Sequence, residues 1–144
     1  MYLKLFNQIA QCEEGWSIFG NACYKVSNET TDWYDAERTC NEFGAHLTSI
    51  HSKEESDFFL GLQHTSSDNF WIGGHRSDGV FKWIDGTTID YTNWWTNEPN
   101  NDGGNENCIE TYIAVRKHLE GKWNDVPCNI PKGFLCKKRL GGGT

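Results

Sequence analysis

The six cysteines are the feature that most constrains how this 144-residue chain can fold. They are Cys12, Cys23, Cys40, Cys108, Cys128 and Cys136. None of them forms a Cys-x-x-Cys pair, which argues against a zinc knuckle or a thioredoxin-like redox site. An even number without such pairs indicates disulfides, so we expect a secreted protein or the extracellular part of a membrane protein. The spacing alone leaves the pairing open, because six cysteines allow many pairings.

Size and charge limit the kinds of partner. A chain of 144 residues with 37% hydrophobic residues and seven tryptophans suits one globular domain with a single core. The net charge of −7 disfavours a nucleic-acid backbone or an anionic membrane surface as partner, and a bound cation suits it better. Since no apolar run reaches membrane-spanning length, we expect no direct membrane insertion.

Both ends of the chain differ from its middle. Residues 1–11 form a lead segment with an apolar helical stripe of Tyr2, Leu5, Phe6 and Ile9. The stripe suits either the end of a neck that joins subunits into a homo-oligomer or a short segment packed on its own domain. Residues 139–144 end in glycines and a threonine and are expected to form a tail, which leaves residues 12–138 as the main domain.

Hydrophobic periodicity predicts helices early and strands late. Residues 16–26 read as a hairpin. A first helix begins after Thr31 or Asp32 and buries a stripe of Trp33, Ala36, Cys40 and Phe43. A second begins at Ser52, with Glu55 completing a capping box, and buries Phe58, Phe59 and Leu62. Strands are predicted over residues 70–74, 80–84, 108–115, 121–125 and 133–137. This order predicts an α+β fold.

Residues 95–108 form a loop of acids, amides and glycines around Pro99. Asn, Asp, Gly and Pro favour turns over regular structure. Ca²⁺ takes six to eight oxygen ligands, whereas zinc prefers His and Cys. The loop offers such oxygens on Glu98, Asn100, Asn101, Asp102, Glu106 and Asn107. The composition of the loop therefore predicts a calcium site.

Several motifs together resemble the C-type lectin domain in its long form, from Cys12 to about Lys138. These motifs are Trp71-Ile72-Gly73-Gly74, Glu98-Pro99-Asn100, Glu106 two residues before Cys108, and Trp123-Asn124-Asp125. The resemblance implies two helices and short antiparallel sheets with a long calcium-binding loop. It also implies three disulfides, Cys12–Cys23, Cys40–Cys136 and Cys108–Cys128.

The resemblance also implies a function. In the family, the principal Ca²⁺ site is formed by the positions of Glu98, Asn100, Glu106, Asn124 and Asp125, and the proline of the Glu-Pro-Asn motif is cis. The same five residues bind two neighbouring sugar hydroxyls, and the Glu-Pro-Asn order is that of the mannose, fucose and N-acetylglucosamine branch. We therefore expect calcium-dependent binding of glycans on cell surfaces or glycoproteins.

Other interpretations stay open. Trp95, three residues before Glu98, either stacks on a sugar and turns the site towards galactose or packs under the loop. The domain is alternatively a protein-binding or ice-binding relative in which Ca²⁺ only orders the loop. Family members with an auxiliary Ca²⁺ site carry acids where this chain has His75-Arg76, Asn101 and Asn107, so we expect no auxiliary site. No coherent set of catalytic residues is present, and we expect no enzyme.

Overall fold

The computed structural model describes residues 11–62, 69–113 and 119–141, and over these ranges it shows an α+β domain. The elements in chain order are β1 (Ser17–Phe19), β2 (Ala22–Val26), α1 (Trp33–Glu42), β3 (His46–Leu47), α2 (Lys53–Leu60), β4 (Asn69–Ser77), β5 (Val80–Trp83), β6 (Cys108–Tyr112), β7 (Trp123–Val126) and β8 (Gly133–Arg139). The predicted fold class is confirmed. The apolar stripe of residues 2–9 and the end of the strand predicted over residues 108–115 lie outside the described residues. Neither described helix is long and apolar enough to cross a membrane.

Side-chain caps begin both helices. Asp32 accepts a hydrogen bond from the Asp35 N–H at 2.8 Å, and Ser52 accepts one from the Glu55 N–H at 3.0 Å. These bonds satisfy amides that have no partner within the helix. Phe43 was predicted in the core but is 44% exposed. The helix ends at Glu42, and Gly44 with φ of 74° turns the chain, so the helical period does not extend to Phe43.

The strands of the described residues join into one mixed sheet. Its main order is β1-β2-β8-β4-β6-β7, with β3 on β8 and β5 on β4. These pairings are antiparallel except β4–β8, which is parallel over two residue pairs. The expected antiparallel sheets are therefore connected by one parallel contact. A parallel contact is feasible because a long excursion through the loop, β6 and β7 separates β4 from β8.

The three disulfides have the pairing that the resemblance implied. Cys12–Cys23 ties the lead of the domain to the first hairpin, and Cys40–Cys136 ties α1 to β8. Cys108–Cys128 connects the start of β6 to the segment after β7. The β6–β7 pair beneath the loop is therefore covalently constrained at one end, where β6 begins and β7 ends.

The core lies between the helices and the sheet and is rich in tryptophan. Trp71 and Trp123 are fully buried and Trp83 nearly so, while Trp94 packs edge-on against Trp123 with ring centroids 5.6 Å apart. Trp71, Trp83 and Trp123 therefore belong to the core, and Trp94 is partly buried against it.

Two glycines place the end of β4 beside the loop. The pairing of β4 with β6 shifts register between Trp71 and His75. A Cβ on Gly73 would overlap the Leu47 carbonyl, and one on Gly74 would overlap the Ile109 side chain. Only glycine at these two positions lets the β4 backbone come this close to the Leu47 carbonyl and the Ile109 side chain.

Candidate functional site

The candidate loop connects β5 to β6 and passes over β7. Its Glu98–Pro99 peptide is cis, as expected from the resemblance. Asn97 and Asn101 adopt left-handed backbone conformations, with φ of 69° and 46°, which Asn tolerates better than most residues. A short 3₁₀ turn, Asp102–Gly104, forms its tip. Turn chemistry thus determines the path of the loop, as its composition predicted.

Asp125 anchors this loop from below. Its side chain is fully buried on β7. One carboxylate oxygen, Oδ1, accepts a hydrogen bond from the Asn100 N–H at 3.1 Å. The other, Oδ2, accepts from the Asn101 N–H at 2.8 Å and from Nη2 of Arg76 at 2.9 Å. A residue 24 positions further along the chain therefore holds the loop backbone on the sheet.

The loop side chains also bond back to the loop backbone. Glu98 Oε1 accepts from the Asn100 N–H at 3.1 Å, and Glu106 Oε1 accepts from the Asp102 N–H at 2.9 Å. Asn101 Oδ1 accepts from the Glu106 N–H at 3.1 Å. Each oxygen retains a lone pair after one such bond, so these contacts orient the candidate ligands without using their full capacity.

The carboxylates are close enough to disfavour one another's charge. Burial, a hydrogen bond with Asp125 and the charge of Asp125 together raise the pKa of Glu98 to about 7, and the Asn100 N–H only partly opposes this. Burial also raises the pKa of Glu106, and the charges of Asp125, Asp102 and Glu110 add to the effect. Because like charges raise carboxyl pKa values, a cation among these groups would relieve the repulsion.

Asn124 belongs to a different contact network from its neighbour Asp125. It lies opposite Glu110 in the β6–β7 pair, and its Nδ2 donates to Glu110 Oε2 at 3.0 Å. Glu110 is buried, pairs with Lys132 Nζ at 2.7 Å and accepts from Asn69 Nδ2 at 2.8 Å. The sequence-based prediction missed Glu110, Lys132 and Asn69. The available signal was a glutamate within the apolar strand Cys108–Tyr112.

The donor chemistry fits Ca²⁺, although the carboxylates do not form a closed cage. Carboxylate and amide oxygens are the ligands that Ca²⁺ takes. Metal sites often bring three His, Cys, Asp or Glu ligand atoms close together. Over the described ranges, one group has three such atoms within 4.8 Å of one another, and it consists of His75, Cys108 and Cys128. Both sulfurs of that trio are in a disulfide and are not available as thiolate ligands. The loop carboxylates are therefore the better candidates for a cation, in an open arrangement.

Trp95 is partly packed and partly exposed. Its ring lies edge-on to Tyr112, with centroids 6.0 Å apart, and 38% of the residue is exposed. The Trp95 N–H donates to the Trp123 carbonyl, and the Trp95 carbonyl accepts from the Glu98 N–H, both at 2.9 Å. The residue is thus fixed next to the loop with part of its surface towards solvent, and both interpretations of its role remain.

Comparisons with known proteins agree with this architecture. The family model described as "Lectin C-type domain" matches residues 29–138. Ladderlectin from Oncorhynchus mykiss is 38% identical over 134 residues, covering 88% of this chain and 68% of that protein. The cow CD23 carbohydrate-recognition domain, crystallised in the presence of a GlcNAc2Man3 oligosaccharide, has a TM-score of 0.78 and 33% identity, covering 90% of this chain and 96% of that one. A calcium-independent type II antifreeze protein has a TM-score of 0.79 and 31% identity, covering 90% and 95%.

Proposed function

The chain belongs to the C-type lectin domain family, and from this premise we propose that it is a calcium-dependent carbohydrate-binding module. The domain would span residues 12–138. Its family is typically non-enzymatic, and we propose no catalytic activity for this member. Its three disulfides and its lectin relatives fit an extracellular or otherwise oxidising environment.

The observation that supports the proposal is that the candidate ligands share donors: Glu98 and Asp125 both accept the Asn100 N–H at 3.1 Å, and Glu106 and Asn100 both accept the Asp102 N–H, at 2.9 and 3.2 Å. Burial raises the pKa of Glu98 to about 7 and also raises that of Glu106, and repulsion from the charge of Asp125 adds to both shifts. A divalent cation would replace this repulsion with attraction, and Asn100 and Asn124 would add neutral amide oxygens. Once Glu98 is ionised, the Asn100 N–H is the hydrogen bond that Asp125 Oδ1 accepts, and the oxygen retains a lone pair for an ion.

The same donors would bind the sugar. An ionised carboxylate only accepts hydrogen bonds, whereas an amide nitrogen donates. Each of two neighbouring sugar hydroxyls would offer a lone pair to Ca²⁺, donate to Glu98 or Glu106 and accept from Asn100 or Asn124. Since Nδ2 of Asn124 carries two hydrogens and donates one to Glu110, its second hydrogen is the one to reach a hydroxyl. The Glu98–Asn100 order favours mannose, fucose and N-acetylglucosamine.

Affinity chromatography tests the proposal directly. The protein should be retained on mannose-agarose in Ca²⁺ and released by EDTA. Retention that EDTA does not alter would contradict calcium dependence. A glycan array, read with and without chelator, would then identify the sugar class and detect galactose binding aided by Trp95.

An exchange of two ligand residues tests the sugar preference. Glu98→Gln with Asn100→Asp reverses which residue accepts and which donates, and should shift retention from mannose to galactose. Glu120→Gln with Asn129→Asp makes the same chemical changes at two exposed positions outside the loop and serves as the matched control. An unchanged preference in the first variant would remove the hydroxyl-pattern argument.

A second candidate is a protein-binding or ice-binding domain in which Ca²⁺ only orders the loop. The similarity to a calcium-independent type II antifreeze protein favours it. It predicts no binding on a glycan array together with a melting temperature that Ca²⁺ raises. Assembly through residues 1–11 is a separate proposal, which light scattering of the full chain and of a chain lacking those residues would test.

A further inference from the structure

Arg76 places a positive charge beneath the candidate loop. It lies on β4 just beyond the glycine-permitted register shift, and its side chain is only 17% exposed. The guanidinium lies over the Phe81 ring, 4.3 Å from its centroid. The Arg76 N–H donates to the Asn107 carbonyl at 2.8 Å, which fixes the backbone of β4 against the end of the loop.

The guanidinium contacts the end of the loop directly and the middle of the loop through Asp125. Nη2 donates to Asp125 Oδ2 at 2.9 Å and to the Glu106 carbonyl at 3.2 Å, and Nε donates to the same carbonyl at 3.4 Å. Asp125 in turn holds the backbone N–H groups of Asn100 and Asn101. One side chain therefore connects β7, the end of the loop at Glu106 and, through Asp125, the middle of the loop at Asn100 and Asn101.

We propose that Arg76 is a fixed internal cation that holds the loop docked before calcium binds, so that the domain takes up a single Ca²⁺ ion. Arg76 acts as a positioning residue, since its guanidinium contacts the candidate ligand residues Asp125 and Glu106. The single-ion part of this inference rests on the proposed function, whereas the docking of the loop does not.

The charge of the ligand groups supports a single ion. Glu98, Glu106 and Asp125 carry three negative charges when ionised, and Arg76 reduces the sum over these four side chains to minus two, which one Ca²⁺ balances; Asp102 is exposed at the tip of the loop and is not counted among them. Oxygen capacity gives the same answer. Asp125 Oδ2 already accepts from Arg76 and from Asn101, so both of its lone pairs are used on that side. A second ion there would have to displace a hydrogen-bonded guanidinium.

The geometry specifically uses arginine. A guanidinium has several N–H donors in a planar fork, and this one donates to a carboxylate and a carbonyl while its face lies on an aromatic ring. A lysine would supply a point charge without that fork. Bonds from a charged donor are stronger than neutral ones, so this contact suits a role in holding a loop.

Hydrogen exchange of the loop amides tests the proposal. Arg76→Met removes the charge and the donors but keeps an apolar stem over Phe81. In EDTA we expect the Asn100 and Asn101 amides of this variant to exchange roughly tenfold faster than in the unmodified protein, because local opening no longer has to break the hydrogen bonds from the guanidinium as well. Saturating Ca²⁺ should restore most of the protection. Arg38→Met, which removes a 70%-exposed arginine from α1, is the matched control and should leave the loop unchanged.

Two outcomes would overturn the proposal. Loop amides that exchange in Arg76→Met at the unmodified rate in EDTA would show that Arg76 does not hold the loop. Two Ca²⁺ ions per chain in a calorimetric titration of the unmodified protein would contradict the single-ion part. Should Arg76→Met fail to fold, Arg76→Gln takes its place, with β2–β8 amides as the internal reference. A protein that binds no Ca²⁺ would contradict the proposed function, and the exchange comparison in EDTA would still decide the role of Arg76.

Discussion

Replacing Glu110 by Gln should strongly destabilise the domain, although Glu110 is not a candidate ligand. The carboxylate is 2% exposed. Oε1 pairs with Lys132 Nζ at 2.7 Å and accepts from Asn69, while Oε2 accepts from Asn124 at 3.0 Å. Glutamine keeps the shape but replaces one acceptor oxygen by an NH₂ group. That group would face either the Lys132 ammonium or the Asn124 amide nitrogen, and both are donors.

The contacts of Glu110 determine how much stability the Glu110→Gln variant should lose. Removing one partner of a buried ion pair typically costs about 3–5 kcal/mol, because the other charge stays buried without compensation. The Lys132 side chain is 11% exposed, and its Nζ lies 5.4 Å from the Trp71 ring centroid. Water and the ring would therefore still stabilise the Lys132 charge after Glu110 is replaced. We therefore expect a loss near the lower limit, about 3 kcal/mol. For a domain of this size that lowers the melting temperature by roughly 10 °C.

Denaturant unfolding of the oxidised protein, in EDTA and in Ca²⁺, measures this loss. Lys132→Met and the double variant complete a cycle. The double variant should be more stable than the sum of the single losses predicts, because it leaves no unpaired buried charge. Glu120→Gln, at an exposed position, should stay within about 0.5 kcal/mol of the unmodified protein. A loss below about 1 kcal/mol for Glu110→Gln, or strict additivity in the cycle, would refute the reasoning.

Three further predictions concern the site and the surface. In EDTA, stability should fall as pH rises from 4.5 towards about 7, because the folded state binds the Glu98 proton more tightly than the unfolded chain does. Ca²⁺ should reverse this trend because it favours the ionised form of Glu98. Melting temperatures at pH 5 and about pH 8, with and without Ca²⁺, measure the direction of both trends. Identical trends would contradict the assignment of Glu98 as a calcium ligand. Trp95→Ala should weaken sugar retention severalfold and leave the calorimetric Ca²⁺ affinity nearly unchanged if the ring contacts sugar, whereas a loss of calcium affinity would indicate packing. All three residues of the sequon Asn28-Glu29-Thr30 are exposed, so secreted protein from eukaryotic cells should lose mass on glycosidase treatment and Thr30→Ala should not. Equal masses before and after treatment would exclude modification of Asn28.

Local rules predicted much of the fold. The cap at Asp32, the cap at Ser52 and the hairpin before them follow from residue types that satisfy nearby backbone groups. The composition of the loop identified turn-forming and oxygen-bearing residues without any knowledge of the sheet beneath. The disulfide pairing and the five-residue ligand set came from the family resemblance, because spacing alone does not determine either.

Contacts between distant strands could not be predicted in the same way. Glu110 meets Lys132 only because β4 pairs with both β6 and β8, so that the Lys132 side chain, from the segment before β8, reaches over Trp71 of β4 to β6. Arg76 reaches Asp125 across 49 positions, and its path depends on a register shift that two glycines permit. The sequence marked Arg76 only as a basic residue where relatives with an auxiliary site carry acids, and it gave no sign of the contact with Asp125. The prediction that Phe43 is buried was wrong for the opposite reason. It extended the helical period beyond Glu42, where the helix ends before the turn at Gly44.

The register of β6 against β7 links these buried contacts to the loop. Successive side chains on a strand point to opposite faces, so neighbouring Asn124 and Asp125 enter different networks, one through Glu110 and the other through the loop backbone and Arg76. A slip of one residue would exchange their faces and separate both candidate ligands from their partners. Cys108–Cys128 ties the first residue of β6 to the segment that follows β7. Such a bridge resists a register slip, so the disulfide would support the site mainly by fixing which face each ligand occupies.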